Sequence, residues 1–344
     1  SSAMSLPPID IPLGAMRFNS DSQKLEYWNG SAWFQIQTFS PNLDGGARGI
    51  FSGGDPSRTA EMDYITIPTR GNALDFGDLP FVNAGGCIGI QASKTRGFVC
   101  GGEAPVGDGH NTITKFEFSS TGSAADFANL NFGSKNGGAS SNATRAIQHR
   151  GYDSPSITHE DVCFFTMASQ QDASDFGDIL SAGSYGGGGM ASPTRGIIVI
   201  GYTGSQVNNI EYCTIATTGN FQDFGDVSSV DHAQRSATAA SSTRGVLMGG
   251  GNPSYQSTCS HITLASGGNS IDFGELTVVT SYWTGVSDSI TMIAGGGQQI
   301  SGENMTNRME ALNFTTGGTA VDCGDLLSSR RERSATSNGH GGLG

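Results

Sequence analysis

Two residue types recur along this chain at a spacing that could build a charged site. An arginine that follows threonine or alanine recurs about every 50 residues, at Arg48, Arg96, Arg145, Arg195 and Arg244. An aspartate that opens a second motif recurs at the same interval, at Asp75, Asp126, Asp175, Asp223 and Asp272. Guanidinium groups bind carboxylates and phosphates in a forked geometry, so a ring of arginines would suit an anion. A residue that is needed once per repeat is usually structural, however, and buried charges are normally paired. We therefore expect each arginine to pair with a nearby motif aspartate, within one repeat or between two.

Other residues that could do chemistry do not form a recognised motif. The histidines are scattered and lack the HExxH pattern of zinc proteases. Asp153, His159, Asp161 and Cys163 are close enough in sequence to suggest a metal, but Cys163 matches Cys213 at an equivalent strand position. Acidic glycine-containing loops leave calcium as an alternative. The sequence predicts no catalytic residue, no metal and no cofactor, although a Ser-His-Asp triad is defined by geometry and not by residue order.

Composition restricts the fold class. The chain has 344 residues, of which 52 are glycine, 36% are hydrophobic and 14% are charged. This balance favours short strands joined by tight turns. The net charge of -13 argues against nucleic acid as a partner, because phosphate contacts need clustered lysine and arginine. No apolar run approaches the ~20 residues of a membrane-spanning helix, so we predict no membrane insertion.

The aspartate motif is the clearest sign of internal repetition. Asp75-Phe76-Gly77-Asp78 returns in variant form at intervals of about 50 residues. The arginine motif runs in step with it and opens a short apolar run. A β-rich unit of this length is typical of one blade of a β-propeller. The six copies predict six blades.

The two ends of the repeated region predict how the fold closes. Each repeat has room for four strands, but the first copy lacks a good strand before residues 49–54. The segment 333–336 repeats the sequence Arg-Ser-Ala-Thr of 235–238, and no further repeat follows it. We expect this C-terminal strand to complete the first blade. The predicted fold is therefore an all-β, six-bladed β-propeller without an open edge between blades.

Residues 1–40 lie outside the repeats and form a separate predicted domain, with the propeller over 41–344. Alternating segments precede Asn29-Gly30, which is a strong hairpin signal. A β-hairpin module of this size buries little surface alone. We therefore expect the module to pack on the propeller, on copies of itself, for example as a homotrimer, or on a larger assembly, with Trp28 and Trp33 as its anchoring residues.

Two parts of the sequence resemble known phage proteins. The stretch from Gly14 through the Tyr27-Trp28-Asn29-Gly30 run resembles a short module of tailed-phage structural and tail-fibre proteins. The Thr-Arg-Gly and Asp-Phe-Gly-Asp repeats resemble those of virion proteins of marine phages, especially phages of cyanobacteria, which are described as Kelch-like propellers. The resemblance implies a virion surface protein, either a tail-fibre adhesin or a head or tail decoration protein, with other virion proteins as partners.

The connections between the second and third strands differ most from repeat to repeat. By strand parity they emerge on one face, and loops on a rigid scaffold commonly carry recognition. We predict a ligand-binding face formed by His110, Tyr152, Asp153, His159, Tyr202, Asn208 and Tyr255. Its aromatic and polar groups suit sugars, so we expect a non-enzymatic virion protein that binds a host surface glycan or receptor. The alternatives are a capsid or tail decoration (cement) protein of purely structural role, and a propeller-type enzyme that acts on polysaccharides.

Overall fold

A computed structural model of the chain describes residues 11–19, 24–35, 47–103, 109–152, 158–183, 188–252, 254–299 and 304–344. These residues form an all-β fold of several small antiparallel sheets, with one four-residue α-helix. The chain divides into two compact units, residues 1–43 and 44–344, and each is described by itself. Asp153 of the predicted ligand-binding face lies outside the described residues.

The first unit is a three-stranded antiparallel sheet of β1 (Met16–Asn19), β2 (Lys24–Trp28) and β3 (Trp33–Gln35). The turn between β2 and β3 is held by Asn29, whose side-chain oxygen accepts hydrogen bonds from the amides of Ser31 (2.9 Å) and Ala32 (2.8 Å). Gly30 has a φ of +98°, which suits glycine. The predicted Asn-Gly turn is confirmed.

The strands of the second unit follow the repeats. The first half comprises β4 (Arg48–Ser52), β5 (Thr59–Thr66), β6 (Leu74–Asn83), β7 (Arg96–Cys100), β8 (His110–Glu117), β9 (Ala125–Ser134), β10 (Ala139–Ser141), β11 (Arg145–His149), β12 (His159–Thr166) and β13 (Ser174–Gly183). The second half comprises β14 (Gly188–Ala191), β15 (Arg195–Tyr202), β16 (Gln206–Thr214), β17 (Gln222–Asp226), the helix α1 (Val230–Ala233), β18 (Ala237–Ala240), β19 (Arg244–Met248), β20 (Thr258–Thr263), β21 (Ile271–Glu275), β22 (Thr280–Ser281), β23 (Thr284–Ser287), β24 (Thr291–Gly295), β25 (Gln298–Gln299), β26 (Arg308–Asn313), β27 (Gly318–Thr319), β28 (Val321–Asp325) and β29 (Ser334–Ser337), before a 3-10 turn at Gly341–Leu343.

Six sheets of one design result, numbered here in chain order. Sheets 3, 4 and 6 have the strand orders β10-β11-β12-β13, β14-β15-β16-β17 and β23-β24-β26-β28. Sheet 5 is β18-β19-β20-β21, and β27 pairs in parallel with its outer strand. Sheet 2 is β7-β8-β9, and residues 87–91 run beside β7, where the amide of Cys87 donates to the carbonyl of Cys100 (3.1 Å). Sheet 1 has the order β29-β4-β5-β6.

The first strand of sheet 1 therefore comes from the end of the chain. β29 pairs antiparallel with β4, from Ser334 opposite Ser52 to Ser337 opposite Gly49. The predicted pairing of the C-terminal strand with the first repeat is confirmed.

The alignment of that strand with the fifth repeat is wrong by one residue. Ala237 begins β18 at the register position that Ser334 takes in β29. Glu332, and not Arg333, is therefore the equivalent of Arg235. The short Arg-Ser-Ala-Thr match is accidental, because strand register and not residue identity fixes the equivalence.

The aspartate motif joins neighbouring sheets through its backbone. The carbonyl of its second residue accepts a hydrogen bond from a glycine amide at a corner of the next sheet: Gly122 to Phe76 (2.7 Å), Gly219 to Phe176 (2.7 Å), Gly268 to Phe224 (2.6 Å) and Gly71 to Cys323 (2.9 Å). The two other pairs of sheets are joined nearby, by Ala173 to Asn129 (2.8 Å) and by Ala320 to Glu275 (2.8 Å). Each sheet thus bonds to the next, and sheet 6 bonds to sheet 1.

Side chains of the motif pack between the sheets. Phe76 of sheet 1 meets Phe116 of sheet 2 with ring centroids 5.3 Å apart, and Phe176 of sheet 3 meets Phe221 beside sheet 4 at 6.2 Å. All four rings are buried. Edge-to-face aromatic pairs add about 1 kcal/mol to the burial of their area. The core therefore lies between neighbouring sheets.

The motif arginines also act between sheets, but they do not pair with the motif aspartates. Each donates Nη1 to a carbonyl just after the third strand of the next sheet: Arg48 to Phe118 (2.6 Å), Arg96 to Met167 (3.3 Å), Arg145 to Ile215 (2.9 Å), Arg195 to Leu264 (3.1 Å) and Arg244 to Phe314 (2.6 Å). Among the described residues, no ion pair joins these arginines to Asp75, Asp126, Asp175, Asp223 or Asp272, and Arg96 pairs with Glu117 (3.1 Å). The predicted pairing is wrong.

Strand register explains the difference. Arg48 lies opposite Thr66, whereas Asp75 lies opposite Asp63, three residues away along the middle strand. With a rise of ~3.3 Å per residue and ~4.8 Å between strands, the two backbone positions are about 14 Å apart. The guanidinium of Arg48 instead lies 4.9 Å above the ring of Tyr64 in its own sheet.

A pair of alanine variants tests this role. Arg145 donates to the carbonyl of Ile215 and lies 4.3 Å above the ring of Phe164. We expect Arg145→Ala to lower the free energy of unfolding by about 1–3 kcal/mol, because both contacts are lost. Asp175→Ala, the matched change in the same sheet, should change it by less than about 0.5 kcal/mol. Chemical denaturation measures both, and a larger loss for Asp175→Ala would restore the ion-pair model.

Buried histidines should make the fold sensitive to acid. Burial lowers the pKa of four of them to about 4: His110, His149, His232 and His340. In the unfolded chain a histidine titrates near 6.5, so between pH 6.5 and 4 the unfolded state binds more protons than the folded state. We therefore expect the free energy of unfolding to be highest above pH 6.5 and to fall as the pH drops to 4.

Urea denaturation across this pH range measures the effect. Each buried histidine adds about 1.4 kcal/mol per pH unit to the slope within its window. His340→Gln keeps a donor for the carbonyl of Ala92, which His340 Nε2 contacts at 2.9 Å, and should make the slope shallower. Equal stability at pH 7 and pH 4.5 would contradict the prediction.

Candidate ligand-binding face

The connections between second and third strands leave the sheets at the end opposite the motif arginines. In sheet 1, Arg48 opens β4 and the connection follows Ser52 at the other end. The described residues of the predicted face occupy this end, and all are partly buried: His110, Tyr152, His159, Tyr202, Asn208 and Tyr255. The structure therefore brings the described members to the same end of their sheets.

The histidines of this face pack into the scaffold. The ring of His110 lies edge-on to Phe81, with centroids 4.7 Å apart, and its Nδ1 accepts a hydrogen bond from the amide of Thr112 (3.3 Å). Burial lowers its pKa to about 4, so the ring is neutral at pH 7. The carbonyl of His159 contacts Nε2 of His149 at 2.9 Å. Both residues help to shape the face.

Asn208 is a link within its sheet. Its side-chain nitrogen donates to the carbonyl of Val227 (2.6 Å), whose amide donates back to the carbonyl of Asn208 (2.8 Å). Asn307 makes the same side-chain bond to the carbonyl of Leu326 (3.1 Å). This asparagine is a repeated structural feature, and its amide is already used.

The two tyrosines Tyr152 and Tyr255 lead towards a group of charged residues. The ring of Tyr255 lies 6.2 Å from that of Tyr282. Nζ of Lys135 lies 5.8 Å from the ring centre of Tyr152, and the backbones of these two residues exchange hydrogen bonds. Neither Lys135 nor Tyr282 belongs to the face predicted from the sequence.

Residues in the left-handed backbone region form the middle of this group. Each precedes the first strand of a sheet and has a φ between 53° and 59°: Gly85, Asn136, Arg235, Tyr282 and Glu332. Their backbones are joined in series, with amide-to-carbonyl bonds from Asn136 to Gly85 (2.7 Å), Gly85 to Glu332 (2.8 Å), Glu332 to Tyr282 (3.0 Å) and Tyr282 to Arg235 (3.0 Å). We call these five residues the inner ring.

Two guanidinium groups share one aromatic ring here. Cζ of Arg235 lies 3.9 Å and Cζ of Arg331 lies 5.2 Å from the ring centre of Tyr282. Arg235 forms an ion pair with Glu332 (3.0 Å), and Arg331 donates to the side-chain oxygen of Gln298 (2.7 Å). The tyrosine face stabilises both cations through its quadrupole. These four residues, Arg235, Tyr282, Arg331 and Glu332, are the central cluster.

A second charged group adjoins the central cluster. Glu103 forms ion pairs with both Arg58 and Lys135. Burial raises the pKa of Asp55, the charge of Glu332 raises it further, and Arg331 opposes the shift. The carboxylates and cations of sheets 1 and 2 therefore interact electrostatically with the central cluster.

The paired charges and tyrosine rings at this end of the sheets can bind a ligand. Among the described residues no group of three or more histidine, cysteine or acidic side chains could hold a metal ion. The six cysteines are free and buried, and burial raises the pKa of Cys87 to about 11, so its thiol is a poor nucleophile at neutral pH. Tyrosine rings beside paired charges can stack on a ligand and donate hydrogen bonds to it.

Sequence reasoning did not identify the central cluster. Three of its members, Arg235, Tyr282 and Glu332, share a backbone position and not a residue type, so no motif marks them. The available signal was the spacing of these positions. Asn136 follows Gly85 by about 50 residues, Arg235 lies two such intervals further on, and Tyr282 and Glu332 follow at single intervals. The mistaken alignment of Arg333 with Arg235 concealed it.

In the first unit, the predicted anchoring residues contact each other with tilted rings. The rings of Trp28 and Trp33 lie 5.5 Å apart, and Cζ of Arg17 lies 4.2 Å from the ring centre of Trp33. The alternate positions of the strands form the opposite face, where Met16, Phe18, Tyr27 and Phe34 are exposed. The apolar surface of this unit is thus on the face away from the tryptophans.

Comparisons with known families and curated proteins found no match, so function is inferred from the geometry of this face. No family model matches the chain, and no curated protein matches it. Within the described residues, no helix is long and apolar enough to span a membrane.

Proposed function

We propose that the second unit is a six-bladed β-propeller, with each of the six sheets as one blade. The strand order of the sheets supports this arrangement, as do the hydrogen bonds that run from each sheet to the next and from sheet 6 to sheet 1. First strands of neighbouring sheets also contact one another, as in β10 with β14 and β23 with β29. In this arrangement the inner ring surrounds the propeller axis.

The function that this geometry supports best is non-enzymatic binding of a host surface glycan or receptor. The face that carries the central cluster would bind this ligand, and the protein would be a virion surface protein of the tail-fibre type. The observation that carries the proposal is the convergence of Tyr152, Tyr255 and Tyr282 with charged side chains at one end of the sheets. Aromatic faces stack on the apolar side of sugar rings, and polar groups beside them fix the orientation. The resemblance of the repeats to phage virion proteins agrees with this role.

A second candidate is a capsid or tail decoration protein of structural role. The exposed apolar residues of the first unit, Met16, Phe18 and Phe34, favour it, because contiguous apolar surface marks contact sites. Both candidates place the protein on the virion surface, with the first unit attached to other virion proteins. They differ in whether the face of the second unit binds a host molecule.

Binding to an array of bacterial surface oligosaccharides tests the first candidate. We expect the full chain to bind at least one glycan, and Tyr152→Ala and Tyr255→Ala each to weaken that binding about tenfold, since one lost stacking contact of ~1.4 kcal/mol changes an affinity by that factor. Thr217→Ala, at the opposite end of sheet 4, is the matched control and should bind like the unchanged protein.

The outcomes separate the candidates. Incorporation into phage particles without binding to any glycan or to susceptible cells would favour decoration. Release of reducing sugar from a bound polysaccharide would show an enzyme and overturn the proposal. Equal weakening by Thr217→Ala would show that the tyrosine effects are not specific to the face.

A further inference from the structure

A small cavity adjoins the central cluster, and three of the residues that line it carry a buried polar atom without a hydrogen-bond partner. The cavity measures ≈ 20 Å³, and a single water needs roughly 10–15 Å³ on this scale. Asn136, Ser236 and Arg333 line it together with Arg235, Tyr282 and Glu332. Among the described residues, Asn136 Nδ2, Ser236 Oγ and Arg333 Nε form no hydrogen bond. Leaving such groups unsatisfied costs about 1–3 kcal/mol each.

These three side chains are more than nine-tenths buried. Their exposed fractions are 3% for Asn136, 0% for Ser236 and 3% for Arg333. The rest of the Arg333 guanidinium is engaged, with Nη1 donating to Asp63 (2.9 Å) and Nη2 to the hydroxyl of Ser328 (2.8 Å). Its Nε is therefore held in a fixed direction. Residues from three different sheets, each with an unpaired buried polar atom, thus line one small space.

The chemistry of these atoms selects the occupant. An amide nitrogen and a guanidinium Nε can only donate, and a serine hydroxyl can donate as well. A cation needs acceptors, and the one carboxylate that lines the cavity, of Glu332, is already paired with Arg235, so this set does not suit one. A species that accepts several hydrogen bonds suits it, and an anion accepts all of them without having to donate any.

The local charge balance favours an anion over a neutral water. Three guanidinium groups, of Arg235, Arg331 and Arg333, lie at this end of the fold. Glu332 pairs with the first and Asp63 with the third. Among the described residues, Arg331 forms no close ion pair; it contacts a tyrosine ring and an amide oxygen, and Asp55 interacts with it electrostatically over a longer distance. One negative charge in the cavity would offset the repulsion between these cations.

We infer that this cavity binds a small monovalent anion through Asn136 Nδ2, Ser236 Oγ and Arg333 Nε. The anion is either chloride or the carboxylate group of a larger ligand, and the two share the same contacts. The inference does not require that the face binds a glycan.

Binding of chloride to the full chain tests the inference. Sodium chloride is titrated into the protein in chloride-free buffer, and binding is measured as the protein-dependent broadening of the chloride-35 NMR line. Asn136→Asp keeps the shape and the left-handed backbone but puts a carboxylate beside the anion, so we expect the broadening to fall at least tenfold. Ser236→Ala should weaken binding several-fold. Ser140→Ala removes an equally buried hydroxyl that is also unpaired but lies outside the cavity, and it should have no effect.

Two further measurements locate the site and identify the occupant. Bromide in crystals of the full chain should give an anomalous peak between Asn136 and Ser236, and water density there at every bromide concentration would overturn the inference. Sodium acetate that displaces chloride would assign the site to carboxylates as well, whereas acetate without effect would restrict it to halides. If Asn136→Asp does not fold, Asn136→Gly, which tolerates the same φ, replaces it. Broadening that persists unchanged in Ser236→Ala and in either Asn136 variant would also overturn the inference.

Discussion

The backbone hydrogen bond between one sheet and the corner of the next is the interaction on which the structure depends. The outer strand of an isolated sheet exposes unpaired amides and carbonyls, which invite aggregation. Here the carbonyl of Phe224 in one sheet accepts from the amide of Gly268 in the next (2.6 Å). The approach is so close that a Cβ on Gly225 would lie 2.6 Å from the carbonyl carbon of Gly268. With φ at +143°, this position admits glycine and little else.

The same approach of the sheets determines what happens at their two ends. At one end the motif arginines reach from sheet to sheet, as Arg195 does to the carbonyl of Leu264 (3.1 Å), and the same side chain is required in almost every repeat. At the other end the backbones of the inner ring join the sheets in series. Side chains there are free to differ, and they differ completely, from Gly85 to Tyr282. A repeated scaffold thereby carries a face that is not repeated.

The parts of this structure that follow from repetition could be predicted from the sequence. The period of the aspartate motif gave the six sheets, and the surplus strand at the end of the chain gave the pairing of β29 with β4. The partner of each arginine could not be predicted, because it depends on a register difference of three residues between Arg48 and Asp75. Only part of the candidate site could be predicted from the sequence. Tyr152 and Tyr255 stand out as aromatic residues in variable loops, whereas Arg235 and Glu332 are recognised as equivalent only from the strand register.

Backbone strain indicates that the inner ring serves more than the fold. The left-handed region costs a residue with a side chain roughly 1–2 kcal/mol, and glycine avoids this cost. Gly85 shows that glycine is compatible with the position, yet Arg235, Tyr282 and Glu332 occupy it in other sheets. Strain of this kind persists where the side chain is needed, and it clusters at binding sites. Part of that cost is offset by the contacts among the three side chains, which the ion pair and the stacked guanidinium provide. Those contacts fix Arg235 beside the cavity, so the strained residues and the residues with unpaired donors line the same space.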